Sequence, residues 1–108
     1  MKLIYAIVSN NDTKSVGTAL INAGYYATKL ASTGGFLSSG STTFLIGVED
    51  EKVDSVIAII SEKSRRRKQF VPFVNSSFGG SAMPTPPIEV SVGSATIIVT
   101  DVERYKKV

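Results

Sequence analysis

The run Thr28-Lys29-Leu30-Ala31-Ser32-Thr33-Gly34-Gly35-Phe36-Leu37 concentrates the residue types that hold an anionic ligand. Hydroxyls at Thr28, Ser32 and Thr33 donate to phosphate oxygens. Gly34 and Gly35 let the backbone approach a ligand closely and offer bare N–H groups, the makings of an anion nest. Phe36, in a polar loop beside them, has the flat face on which a nucleobase stacks, a contact worth roughly 1–3 kcal/mol per base. A plain hairpin loop, with Phe36 folded back onto the sheet, accounts for the same residue types. Composition alone does not choose between the two.

Other chemistry is sparse. Gly35-x-x-x-x-Gly40-Ser41-Thr42 has the spacing of a phosphate-binding loop but lacks its lysine, and it leads into a strand rather than a helix. Histidine and cysteine are both absent, which removes the commonest general base, thiol nucleophiles, disulfides and zinc–thiolate sites. Asp12, Glu49, Asp50 and Glu51 fall at expected helix starts, where capping accounts for them. Asp54 and Glu62 read as a solvated helix face, and no carboxylate pair has metal-ligand spacing. A reaction would have to run on Lys29 or a carboxylate alone. The expectation is a binding protein with no catalytic residues, no metal and no resident cofactor.

The net charge of +3 gathers in Arg65-Arg66-Arg67-Lys68 and in Arg104, Lys106 and Lys107. Such a balance suits a phosphate-bearing partner, while cations at a helix end also favour the helix dipole. At 108 residues the chain is expected to form one domain, 1–108. It has no apolar run of membrane-spanning length and no leader signature, so a soluble, cytoplasmic protein is expected.

The elements that must position these residues follow from periodicity. Lys2 to Val8 reads as a strand, and Ser9 to Thr13 supplies helix caps. Val16, Ala19, Leu20 and Ala23 make one helical face, which Gly24 is placed to end in a left-handed cap. Tyr25 to about Ser32 and Ser41 to Val48 read as strands flanking the glycine-rich loop. Asp50 precedes a second helix with Val53, Val56, Ile57 and Ile60 on one face, running out in the basic cluster. Gln69 to Val74 is expected as a short fourth strand. Asn75 to Pro87, rich in Gly and Pro, is a long loop. Ile88 to Val92 and Ser94 to Val102 are strands with a bend at Gly93.

Two strand–helix–strand units in tandem predict an α+β, ferredoxin-like fold: an antiparallel sheet with both helices on one face. Leu3, Tyr5 and Ile7 alternate with Ile4, Ala6 and Val8, so the first strand is apolar on both sides while two helices cover only one. Copies of the same chain are the simplest cover for the other side, and a homo-oligomer is expected.

The string Ala27 to Val48, ATKLASTGGFLSSGSTTFLIGV, resembles the signature segment of the PII-like cyclic di-AMP receptors, the PstA/DarA family. The resemblance continues in Gly79-Gly80-Ser81-Ala82 and from Pro87 to Thr96, and it covers nearly the whole chain. It implies a PII-like homotrimer with ligand sites in the clefts between subunits and cyclic di-AMP as ligand. It also implies that the glycine-rich and Pro/Gly loops rearrange on binding and change which partner protein docks. Carried onto this chain, Ala27 and Thr28 border the site with Thr28 on a phosphate; Gly35, Phe36 and Leu37 enclose an adenine; and Gly47 lies at the floor. Membrane and nucleic-acid partners are not implied.

The chain departs from the family pattern at four positions. Tyr26 stands where arginine is common, Ser41 where asparagine is common, Ile98 where an aromatic is common and Lys107 where glutamine is common. A site without an amide reader loses discrimination between bases, whereas Tyr26 can stack. The alternative reading is therefore a PII-like interaction subunit that has lost nucleotide binding. An RNA-binding module is a third reading, weakened by the absence of paired aromatic strings on the central strands.

Overall fold

A computed structural model describes residues 1–32, 40–71 and 88–108. In chain order the elements are β1 (Lys2–Ser9), α1 (Thr13–Asn22), β2 (Thr28–Ser32), β3 (Ser41–Val48), a 3-10 turn (Asp50–Lys52), α2 (Val53–Lys63), β4 (Arg67–Val71), β5 (Ile88–Val92) and β6 (Ala95–Asp101).

Strands β2, β3, β1 and β6 form one antiparallel sheet in that order, and β4 pairs with β5 in a separate two-stranded ribbon. The alternation of β1 explains the layering. Ile4, Ala6 and Val8 are fully buried with Phe44, Ile46 and Val48 of β3. Val16 and Leu20 of α1 and Val56 and Ile60 of α2 complete this core. Both helices thus cover one side of the sheet, each through residues spaced i, i+4.

Helix α1 ends as its glycine foretells. Gly24 has φ +87°, its N–H donates to Ile21 and the N–H of Tyr25 donates to Leu20, a Schellman closure. The expected strand over Tyr25 to Ser32 starts later, at Thr28, because Tyr25 is used in this closure and packs on the core.

Three expectations need correction. The fourth strand starts at Arg67 rather than Gln69, its expected end over 72–74 lies outside the described residues, and it does not join the main sheet; the place beside β1 belongs to β6, whose Ile97 and Ala95 align with Ala6 and Val8. The basic cluster lies beyond the helix, since α2 stops at Lys63, Arg65 and Arg66 fall in the connection and Arg67 opens β4. Capping does not account for Asp12: no side-chain capping bond forms at α1, and the Asp12 carboxylate instead accepts from Arg67.

Gly93 and Ser94, both with positive φ, turn the chain from β5 into β6. Ser94 donates its N–H to the carbonyl of Ser64 at 2.7 Å, fixing this turn against the end of α2. Among the described residues no helix is long and apolar enough to cross a membrane.

Candidate functional site

The side of the sheet away from the helices carries every second residue of each strand. Register aligns these into rows. One row runs Thr28, Leu45, Tyr5, Ile98, and the next toward the C-terminal end of β1 runs Leu30, Thr43, Ile7, Thr96. Gly47, Leu3 and Thr100 share the row on the other flank. Leu30 and Ile98 are about half exposed and Ile7 is exposed as well, so this helix-free side is an open apolar surface.

At its β2 edge stand three of the expected ligand residues. Tyr26 is 93% exposed, just before the strand, and Thr28 is exposed within it. Tyr26, Ala27 and Thr28 line a hollow of about 550 Å³ with Ile21, Gly24 and Tyr25. Ala27 differs from its neighbours, because its side chain packs on the core. Any ligand contact there would therefore be made by its backbone. Gly47 is exposed at the same end of the sheet.

The remaining expected residues lie elsewhere. Ser41 begins β3, six residues from Gly47, so at about 3.3 Å per residue the two are about 20 Å apart. It lines a different, polar hollow of about 340 Å³ together with Ser9, Asn11, Ser91, Ser94 and Thr96. Ile98 shares a row with Thr28 but sits on β6, three strand spacings or about 14 Å away. Lys107 is exposed in the segment that follows β6. Gly35, Phe36 and Leu37 lie outside the described residues, as does the loop over 75–87.

Three contacts were not legible from local pattern. The methyl of Met1 lies 3.2 Å from where a Cβ on Gly47 would stand, so the methionine side chain leans into the concavity that the glycine leaves. Arg67 reaches Asp12 across the fold at 2.7 Å, while Lys68 lies 3.4 Å from Glu89 on the adjacent strand of the ribbon. Two of the four clustered cations are thereby neutralised. Among the described residues no group of three or more acidic, His or Cys side chains is arranged to hold a metal.

Among the described residues, acid–base behaviour is shifted at the β1–β6 end. A hydrogen bond from the Lys2 ammonium, helped by their mutual attraction, holds the Asp101 carboxyl below its ordinary value and raises that of Lys2. This pair joins aligned residues of neighbouring strands and reads as a register contact.

Comparison with known proteins gives two findings. The family model described as cyclic-di-AMP receptor matches residues 1–108, the whole chain. Among solved structures, a protein from Pediococcus pentosaceus ATCC 25745, described as functionally unknown, is similar at 40% identity with a TM-score of 0.77. The match covers 99% of this chain and 96% of that one.

Proposed function

The chain belongs to the cyclic-di-AMP receptor family, and from that premise we propose that it is a PII-like signalling receptor. In this reading it is one domain over 1–108, acts in the cytoplasm, and binds cyclic di-AMP or a related adenine nucleotide between copies of itself. The observation that carries the reading is the split of the expected ligand residues between two edges of one sheet. Tyr26, Thr28 and Gly47 gather at the β2 end, whereas Ile98 and Lys107 belong to β6 and its continuation. Within one chain the two edges lie three strand spacings apart, about 14 Å. A neighbouring copy brings them together when its β6 side meets the β2 side of the first, and head-to-tail contacts of that kind close into rings.

The apolar helix-free side supports a homotrimer, since among the described residues Ile7, Leu30 and Ile98 are exposed on it and Leu3, Tyr5 and Leu45 are only partly buried. The order β2-β3-β1-β6 with two helices on one side supports a ferredoxin-like arrangement in which β6 takes the last place in the sheet. Nucleotide binding would reorder the glycine-rich and Pro/Gly loops and so select the protein partner that docks.

A second reading keeps the same fold and assembly without the ligand. It is favoured by Tyr26, Ser41, Ile98 and Lys107 standing in place of the family's usual residues. Isothermal titration calorimetry with cyclic di-AMP, and with ATP and cyclic di-GMP as controls, separates the two. Binding of cyclic di-AMP alone near one ligand per chain is the expected outcome. No heat with any of the three would leave the ligand-free interaction subunit.

A further inference from the structure

Gly47 sits at the exposed end of β3 on the helix-free side, aligned with Leu3. Its bare backbone lies beside the side chain of Met1, whose Cε would stand 3.2 Å from a Cβ at this position. The main chain of Met1 is held on both sides. Its carbonyl accepts from the N–H of Val102 at 3.2 Å, and its amine lies 3.0 Å from the Asp50 carboxylate. The thioether beyond has three rotatable bonds and is 36% exposed as a residue, so a fixed backbone carries an adjustable apolar arm over the glycine.

Resting on the nucleotide reading, we propose that Met1 is a ligand-contacting residue that packs against a nucleobase. Its thioether forms the side wall of the base site at Gly47 and packs against the ring on binding. Sulfur and methyl groups make favourable contacts with aromatic rings, and an unbranched side chain adapts to fit them. The wall is apolar, so it favours a flat base over a ribose or phosphate at this point. The absent side chain at Gly47 has a matching role: a Cβ there would push the methionine methyl into the space the base needs.

The test uses the full chain with 13C-labelled methionine methyl groups. The sequence contains two methionines, Met1 and Met83, so a Met83→Leu variant assigns the two resonances. The unaltered protein is then titrated with cyclic di-AMP, with calorimetry on the same sample. The expected result is an upfield shift of the Met1 methyl and a nuclear Overhauser contact from it to an adenine ring proton. Gly47→Ala is expected to move the Met1 methyl before any ligand is added, to keep its circular dichroism unchanged, and to bind at least tenfold more weakly. Heat of binding without the methyl-to-adenine contact would overturn the role of Met1 and leave the receptor reading intact. Absence of heat would remove the nucleotide reading, and the proposal with it.

Discussion

Arg67 closes on Asp12, with its Nη2 2.7 Å from Oδ1 of a carboxylate whose side chain is 3% exposed. The other oxygen, Oδ2, is buried with no hydrogen-bond partner, so Arg67 supplies the charge compensation for this group. The contact ties the start of α1 to the first residue of β4, and hence the helical layer to the ribbon. Arg67→Ala leaves the carboxylate buried and unpaired. It is expected to cost about 1–3 kcal/mol, toward the lower end because the half-exposed arginine site lets water in. Urea unfolding of Arg67→Ala, Asp12→Asn and the double variant measures this. Strictly additive single effects would mean that the pair contributes nothing as a pair.

Gly93 and Gly24 both have positive φ but differ in surroundings. A Cβ at Gly93 would overlap the carbonyl oxygen of Arg65, whereas one at Gly24 meets nothing within 4 Å. Gly24→Ala is therefore expected to cost about 1–2 kcal/mol, the backbone term alone. Gly93→Ala adds a clash with main chain, which cannot swing aside, and is expected to be the more damaging of the two. Thermal unfolding ranks them, and equal losses would show that the β5–β6 turn yields freely.

Ile7 lies near the middle of the helix-free side and is 36% exposed in a single chain. Ile7→Arg should cost a lone chain little, because the guanidinium can stay in water, but it would bury an unpaired charge at an interface between copies. The expected outcome is a trimer for the unaltered protein by light scattering and a folded monomer for the variant. A monomer in both cases would refute the assembly on which the two-edged site depends.

Lys2 and Asp101 predict a pH dependence whose sign can be worked out. The Asp101 carboxyl is lowered from 3.8, so its contribution is complete above that value and is lost as pH falls through the depressed one. Lys2 is raised from 10.5, so its contribution is present below that value and disappears as pH rises through the elevated one. Both groups face water, and salt should weaken the coupling. A carboxyl-carbon titration by NMR should find the Asp101 midpoint below 3.8 and see it return upward in Lys2→Ala. A midpoint that does not respond to Lys2→Ala would exclude the contact.

What was legible in the sequence follows how local each cause is. Strand β3 matches its expected limits because alternation over Ser41 to Val48 is contained within the strand. The Gly24 closure was equally legible, since a left-handed cap needs only its own turn. The partner of β4 was not, because nothing in Arg67 to Val71 says whether β1 or β5 will accept its hydrogen bonds. Asp12 looked like a cap for the same reason: its true partner is 55 residues away. At the candidate site, Tyr26 and Thr28 stood out because they belong to one contiguous string. Met1 did not, because only the pairing of β1 with β3 brings the chain start to Gly47.

Ser41 and Thr28 give the sharpest contrast in ligand binding, since they stand at opposite ends of the β2–β3 pair. Thr28, exposed at the edge with Tyr26, is expected to donate its hydroxyl to a phosphate. Losing one hydrogen bond to a charged group is worth about 1.5–3 kcal/mol, so Thr28→Ala should weaken cyclic di-AMP binding by tenfold or more. Ser41 presents a single short hydroxyl beside the polar hollow that it shares with Ser9 and Ser94. Asparagine at that position offers both a donor and an acceptor, enough to read the edge of an adenine. Ser41→Asn is therefore expected to tighten cyclic di-AMP binding and to widen its margin over cyclic di-GMP, with little change in unfolding temperature. If the variant bound both dinucleotides as before, base discrimination would have to arise at Tyr26 and the floor at Gly47 instead.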